Sequence, residues 1–313
     1  MSSQSVVLLF AGQGSQAVGM GRSLAETYSS AKALLDQADA LLDFSLSEVM
    51  FDGPEEELTR TSRCQPALYV HGLMCVAALS ERLGDDLSIT ACAGLSLGEF
   101  TAHAAAGSFG FEQGLNLVTQ RGQFMEDACA ATEGSMAAMI GGTDEQVQAL
   151  AETCGVNVAN YNSPGQTVLS GTRVGIANAL AGAKEAGIRI AKELKVAGAY
   201  HSNLMLEAQE KLRTVLAESE ITAPSVPVIS NLTAKPASDP DEIRRTLEAQ
   251  VTGSVQWTGS INGLLDSGHE RFLECGPGKV LTGLMGRIRK GTFCYPTAEA
   301  DMIDAAVEAL QAS

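Results

Sequence analysis

Apolar residues fall along the chain in two rhythms, short unbroken runs and longer stretches at helical spacing, and the two alternate. The runs Val6-Val7-Leu8-Leu9-Phe10-Ala11 and Ile89-Thr90-Ala91-Cys92-Ala93 read as strands covered on both faces. Between them, Leu34, Leu35, Ala38, Leu41 and Leu42 predict a helix over 30–42, capped by Ser29 or Ser30. Gly53-Pro54-Glu55-Glu56 starts a short helix, and Gln65-Pro66 opens another whose face carries Leu68, Leu73, Val76 and Leu79. A helix over 111–129 follows the second run. Downstream, strands are predicted at 226–230 and 271–274, and helices at 202–219, 239–250, 254–266, from 276 to about 287, and at 299–311. Such alternation predicts an α/β fold with a mainly parallel sheet.

Between these halves the order changes. Strands at 135–140, 156–161, 167–170 and 188–194 enclose helices at 143–153 and 173–186, which is the βαββαβ order of a ferredoxin-like unit. A small inserted domain is therefore expected at 133–197, with residues 1–132 and 198–313 forming the large domain.

Composition narrows the function. A net charge of −16 argues against nucleic acid and anionic membranes as partners. The seven cysteines are scattered without a metal-binding or disulfide spacing, so a cytoplasmic protein with reduced thiols and no metal is expected. No apolar run approaches transmembrane length, and the first one leads into a glycine loop as a strand would. That loop, Gly12-Gln13-Gly14-Ser15-Gln16-Ala17, fits a dinucleotide fingerprint. A helix follows where a second strand ending in an acid is required, which disfavours the nucleotide reading. An amide reaching an oxyanion is one reason for Gln13.

The chemistry centres on Gly94-Leu95-Ser96-Leu97-Gly98, a serine between glycines where a strand passes into a helix. This is the pattern of a nucleophile elbow, whose helix aims its first N–H groups at developing negative charge. The alternative is a βα turn with a capping serine. Of four histidines, His103 is seven residues along the same helix, about 10 Å away along its axis. His71 reads as a core residue and His269 as a solvated turn. His201, after a glycine-containing turn, is left as the base. No acid stands out to orient it, and a backbone carbonyl can serve. Arg121, followed by Gly122, is either a solvated helix residue or a handle for a substrate carboxylate.

These stretches resemble the malonyl-CoA:acyl-carrier-protein transacylases and the acyltransferase domains of polyketide synthases. The resemblance also rests on Gln65-Pro66-Ala67, Arg121-Gly122-Gln123-Phe124-Met125, Asn160-Tyr161-Asn162-Ser163-Pro164-Gly165-Gln166 and Gly198-Ala199-Tyr200-His201-Ser202. Val255-Gln256-Trp257 and Glu274-Cys275-Gly276-Pro277-Gly278-Lys279-Val280 complete it. It implies an α/β-hydrolase-like large domain with the ferredoxin-like insertion, and ping-pong transfer of malonyl from malonyl-CoA to the phosphopantetheine thiol of acyl carrier protein. Ser96 would be the nucleophile, His201 its base, and Arg121 the partner of the malonyl carboxylate. Leu97 N–H and Gln13 would hold the oxyanion, and the carbonyl of Gln250 would orient His201. Met125, Asn160, Asn162 and Tyr200 would touch substrate, Tyr200 crowding an α-methyl group. No cofactor is implied, and a monomer is expected. Leu95 stands where many relatives have histidine.

An acidic carrier needs cations on this acidic enzyme, and Lys279, Arg287, Arg289 and Lys290 are candidates. A discrete transacylase serving polyketide synthesis, a serine thioesterase or esterase, and a non-catalytic ligand-binding protein are the alternatives.

Overall fold

The structure is a computed structural model and describes residues 4–312. Strand β1 (Gln4–Phe10) leads through the glycine loop to helices α1 (Arg22–Thr27), α2 (Ser29–Leu41), α3 (Leu46–Asp52), α4 (Glu55–Thr59) and the long α5 (Thr61–Leu83). β2 (Leu87–Gly94), α6 (Leu97–Ala105) and α7 (Phe111–Ala131) follow. Next come β3 (Gly134–Ile140), α8 (Asp144–Cys154), β4 (Asn157–Ser163), β5 (Gln166–Thr172), α9 (Arg173–Gly182) and β6 (Ile190–Glu193). The chain then builds α10 (Leu206–Glu218), β7 (Val228–Ile229), β8 (Pro236–Ala237), α11 (Pro240–Ala249) and α12 (Trp257–Asp266). It ends with β9 (Arg271–Cys275), α13 (Val280–Ile288), β10 (Phe293–Pro296) and α14 (Ala300–Ala312).

Six strands form one sheet in the order β10-β9-β1-β2-β7-β8, parallel except for the β7–β8 pair. The run at β1 is unbroken because both faces are covered. Val6, Leu8 and Phe10 join the core under α5 and α7, while Val7 and Leu9 pack with Trp257, Ile261 and Leu284 on the other side. The C-terminal ends of β1, β2 and β9 therefore share one edge, where ligands of open α/β sheets bind.

The second sheet has the order β4-β5-β3-β6 and is antiparallel throughout, as in ferredoxin-like units. Its edge strand β4 skips Ala159 and Asn162 in pairing with β5. At the first skip, Val255 N–H donates to Ala159 O at 2.8 Å and Tyr161 N–H to Val255 O at 2.9 Å. A bulge thus turns the strand's free edge toward the loop before α12 and ties the two sheets together.

Several boundaries differ from the sequence expectation. Helix α5 begins at Thr61, with Pro66 inside it. Proline so near a helix start costs only the bond to Ser62. A short turn over Asn203–Met205 precedes α10, which begins at Leu206 rather than 202. β7 is two residues long because the chain leaves the sheet at Ser230. α1 and α3, each one or two turns long, and the edge strands β8 and β10 carry too little periodicity to be predicted. Among the described residues no helix is long and apolar enough to cross a membrane.

Candidate active site

Ser96 lies between β2 and α6 with φ 55° and ψ −108°, a backbone conformation that non-glycine residues rarely adopt. Its flanking glycines are required sterically. A Cβ on Gly94 would lie 1.9 Å from Gly98 C and O, and one on Gly98 would lie 2.2 Å from Phe10 O. The turn can close only without those side chains, and it lifts Ser96 out of the strand. Leu97 is the first residue of α6, so its N–H has no carbonyl within the helix to bond and forms part of the dipole's positive end.

His201 also has positive φ, 56°. Its Nδ1 is 2.8 Å from Gln250 O and its Nε2 is 2.7 Å from Ser96 Oγ. A carbonyl only accepts, so Nδ1 carries the hydrogen and Nε2 is free to accept from the serine. Burial, reinforced by the nearby charge of Arg121, pushes His201 down to about 4. It is therefore neutral at pH 7, the state a general base needs.

Arg121 is fully buried on α7. Its Nη1 donates to Gln65 Oε1 at 2.8 Å, and its Nη2 donates to Gln250 Oε1 at 2.9 Å and to Ser96 Oγ at 3.2 Å. Burial lowers it to about 10, so it stays charged. Among the described residues no carboxylate forms an ion pair with it, and its Nε has no hydrogen-bond partner. A buried guanidinium held by two amide oxygens and a hydroxyl, all uncharged, is a site for an anion. Gly122 permits this arrangement, since a Cβ there would meet Thr61 O at 2.7 Å and push α7 from the start of α5.

Gln13 is half-buried, and its Nε2 donates to Tyr200 Oη at 3.3 Å and to Thr61 Oγ1 at 3.5 Å. Its side chain is thus engaged by two hydroxyls, Thr61 Oγ1 and Tyr200 Oη being 2.6 Å apart. Met125 is buried beside Gln65, whose Nε2 donates to Met125 Sδ at 3.4 Å. Asn160 is buried in β4 next to the Val255 bridge, and Asn162 is half-buried at the second bulge with Oδ1 unpartnered. Among the described residues no hydrogen bond joins either asparagine to Ser96, His201 or Arg121.

The other histidines lie elsewhere. His71 bonds Ala298 O and His103 bonds Ser108 Oγ, both fully buried. His269 is not the solvated turn expected. It is half-buried, with Nδ1 3.2 Å from Thr90 Oγ1, because the turn folds back on β2. The four carrier-docking candidates are exposed. Lys279 sits just before α13, at the sheet edge that carries Ser96. Arg287, Arg289 and Lys290 lie at the helix's other end, about 12 Å further along its axis. Arg289 pairs with Asp266 at 3.0 Å. Among the described residues no three potential metal ligands come together.

Sequence reasoning assigned no role to Gln65, Glu99 or Asn231. Gln65 and Glu99 lie within motifs that carried the family resemblance, but nothing local shows that their side chains turn inward. Glu99 Oε2 accepts from Gln250 Nε2 at 2.6 Å and from Asn231 N–H at 3.1 Å, and burial raises its carboxyl to about 7. Asn231 follows a short strand, and its contacts with the elbow are more than 130 residues away in sequence.

Comparison with known proteins places the whole chain in one family. The family model described as acyl transferase domain matches residues 7–291. The malonyl CoA-acyl carrier protein transacylase of Bacillus subtilis (strain 168) is 39% identical over 98% of this chain and 97% of its own length. A polyketide biosynthesis malonyl CoA-acyl carrier protein transacylase, BaeC of Bacillus velezensis, is 40% identical over 93% of this chain and 99% of its own length. The solved malonyl CoA-acyl carrier protein transacylase of Coxiella burnetii superposes with a TM-score of 0.94 at 34% identity, covering 98% of both chains.

Proposed function

The chain belongs to the acyl transferase domain family, and from that premise we propose that it transfers malonyl groups from malonyl-CoA to acyl carrier protein. It is an [acyl-carrier-protein] S-malonyltransferase. His201 Nε2 takes the Ser96 proton as Oγ attacks the thioester carbon. The C–O bond forms, the oxyanion collapses and the C–S bond breaks. His201 returns the proton to the departing coenzyme A thiolate. The phosphopantetheine thiol of the carrier then repeats the sequence in reverse on malonyl-Ser96. Leu97 N–H, at the start of α6, and the Gln13 residue supply the oxyanion donors in this reading. Gln250 O keeps the imidazole in one tautomer through both half-reactions.

The observation that carries the proposal is the buried Arg121, one hydrogen bond from Ser96 and with no carboxylate in direct contact with its guanidinium among the described residues. A neutral acyl chain would leave that charge unanswered, whereas malonyl brings a carboxylate to it. The carboxylate also offsets the Arg121 field that holds His201 down, which favours the imidazolium formed during attack. This distinguishes the reading from a thioesterase or esterase acting on neutral acyl groups. The proposal extends to a cytoplasmic enzyme that works as a single copy: the cysteines are all unpaired, and one chain supplies every residue of the site. Tyr200 and Met125 would border the acyl group, with Asn160 and Asn162 on the small-sheet side of the cleft.

Intact-mass measurement after mixing with malonyl-CoA is the test. A malonyl adduct on the wild type, absent from Ser96→Ala and discharged by holo acyl carrier protein, is expected. Failure of the wild type to acquire the adduct would overturn the reading. Fatty acid synthesis is the pathway proposed. Service to a polyketide synthase is the second reading, favoured by the similarity to BaeC, and preference between the two kinds of carrier protein separates them.

A further inference from the structure

The elbow has to hold a strained serine at the end of a strand whose neighbour has already stopped. On one side β2 stays paired with β1, Leu95 N–H donating to Phe10 O at 3.0 Å. On the other side its partner is β7, which ends at Ile229. Cys92 N–H donates to Pro227 O at 2.8 Å. Stepping by two along a parallel ladder, the series would bring Ser96 N–H to the main-chain oxygen of Asn231, and Asn231 N–H to Gly94 O. Neither bond forms. The Asn231 main chain has turned away, its N–H donating to Glu99 Oε2 at 3.1 Å and its carbonyl accepting from Gln256 N–H at 2.8 Å.

The Asn231 side chain makes both missing bonds instead. Ser96 N–H donates to Oδ1 at 2.6 Å, and Nδ2 donates to Gly94 O at 2.6 Å. The partners fix the amide's orientation, since a peptide N–H only donates and a carbonyl only accepts. A carboxamide has the donor–acceptor pair of a peptide group, so it completes the ladder one step beyond the strand. We infer that Asn231 is a positioning residue for the nucleophile, its carboxamide standing in for a peptide group of β7 and clamping the two ends of the Gly94–Ser96 turn.

The clamp is itself held in place. Asn231 is buried, and both its main-chain groups are anchored. Glu99, which anchors its N–H, also receives Gln250 Nε2, and that nitrogen donates to Ser96 O at 2.9 Å. Residues from α6, from the end of β7 and from the end of α11 thus converge on the backbone of one residue. None of them needs to touch substrate.

The inference rests on Ser96 being the nucleophile but not on the identity of the acyl group, so its test includes a readout without malonyl-CoA. In Asn231→Ala, the rate of Ser96 labelling by a fluorophosphonate and kcat for malonyl transfer should both fall about 100-fold, as a displacement of about 1 Å at a reacting group can cause. KM for malonyl-CoA should stay within about twofold, because Arg121 keeps Gln65 and Gln250. Asn231→Asp retains size and the acceptor for Ser96 N–H but loses the donor to Gly94 O. It should label at least tenfold more slowly than the wild type while melting cooperatively, and it decides the matter should the alanine variant not fold. Wild-type labelling rates in either folded variant would overturn the inference. So would a rise in KM that accounts for the whole loss.

Discussion

Arg121 Nη2 donates to Ser96 Oγ across 3.2 Å, so the group that would receive an acyl chain's far end already touches the atom that would hold its near end. Only a short chain can join Ser96 to the guanidinium while its carboxylate takes over the donors there. The distance therefore acts as a ruler for a short diacid, and the buried charge acts as the demand that the second acid be present.

Arg121→Ala should remove that demand. Losing a buried charged partner is worth about 2–5 kcal/mol, so kcat/KM for malonyl-CoA should fall by about 30-fold to several thousand-fold. Acetyl-CoA, which has no carboxylate, should lose little or gain. Steady-state rates with both thioesters measure the change, and unaltered malonyl preference would contradict it. Arg121→Lys should restore little, because an ammonium cannot reproduce the planar fork that reaches both Gln65 and Gln250.

The glycines make opposite predictions according to their neighbours. Gly98→Ala drives a methyl into Phe10 O and should cost about 1–3 kcal/mol or more, lowering Tm and serine reactivity together. Gly283→Ala, inside α13 with nothing within 4 Å of the new methyl, should stabilise the protein by about 0.5–1 kcal/mol. Calorimetry on the pair checks both signs.

Acid should destabilise the fold through its buried histidines. Burial pushes His71 and His201 down to about 4 and His103 to about 3, whereas the unfolded chain binds these protons near 6.5. Between pH 6.5 and 4 the unfolded state takes up more protons, so stability falls as pH falls. Glu99, raised by burial to about 7, and Glu274, also raised by burial, work the other way. The three histidines outnumber the two carboxyls, so the net change is a loss of stability as pH falls, each proton of imbalance being worth roughly 1.4 kcal/mol per pH unit. A Tm that stays flat or rises from pH 6.5 to 4.5 would refute this.

For the carrier, Arg287 and Lys290 are the useful reversals, since Arg289 is already engaged by Asp266. Arg287→Glu with Lys290→Glu should raise KM for acyl carrier protein several-fold at low salt and leave kcat within about twofold. The effect should shrink as ionic strength rises. Unchanged KM at low salt would remove this end of α13 from the landing surface and leave Lys279, at the nucleophile's edge, as the candidate.

Elements with strong periodicity or unbroken burial were legible in the sequence. β1 shows as an apolar run because both its faces are covered, and the βαββαβ order of residues 134–193 shows because β3, α8, β4, β5 and α9 each bury apolar residues, β6 adding only the partly buried Ala191. The elbow was legible too, because glycine is the only residue its packing allows at 94 and 98. What stayed hidden depends on long-range contacts. Nothing near Asn231 in sequence reveals that its side chain would finish another strand's ladder, and nothing near Gln65 places its oxygen on Arg121. The two-residue β8 and the half-exposed β10 are too short to set a pattern.

The backbone bridge between Ala159, Tyr161 and Val255 has a mechanical meaning. Val255 is five residues after Gln250, the residue whose carbonyl aims His201. Any tilt of the small sheet must carry the 250–255 segment with it or break two main-chain hydrogen bonds. The small sheet is thus tied by main-chain bonds to the segment that begins at the carbonyl aiming the proton acceptor, so the two share one rigid connection.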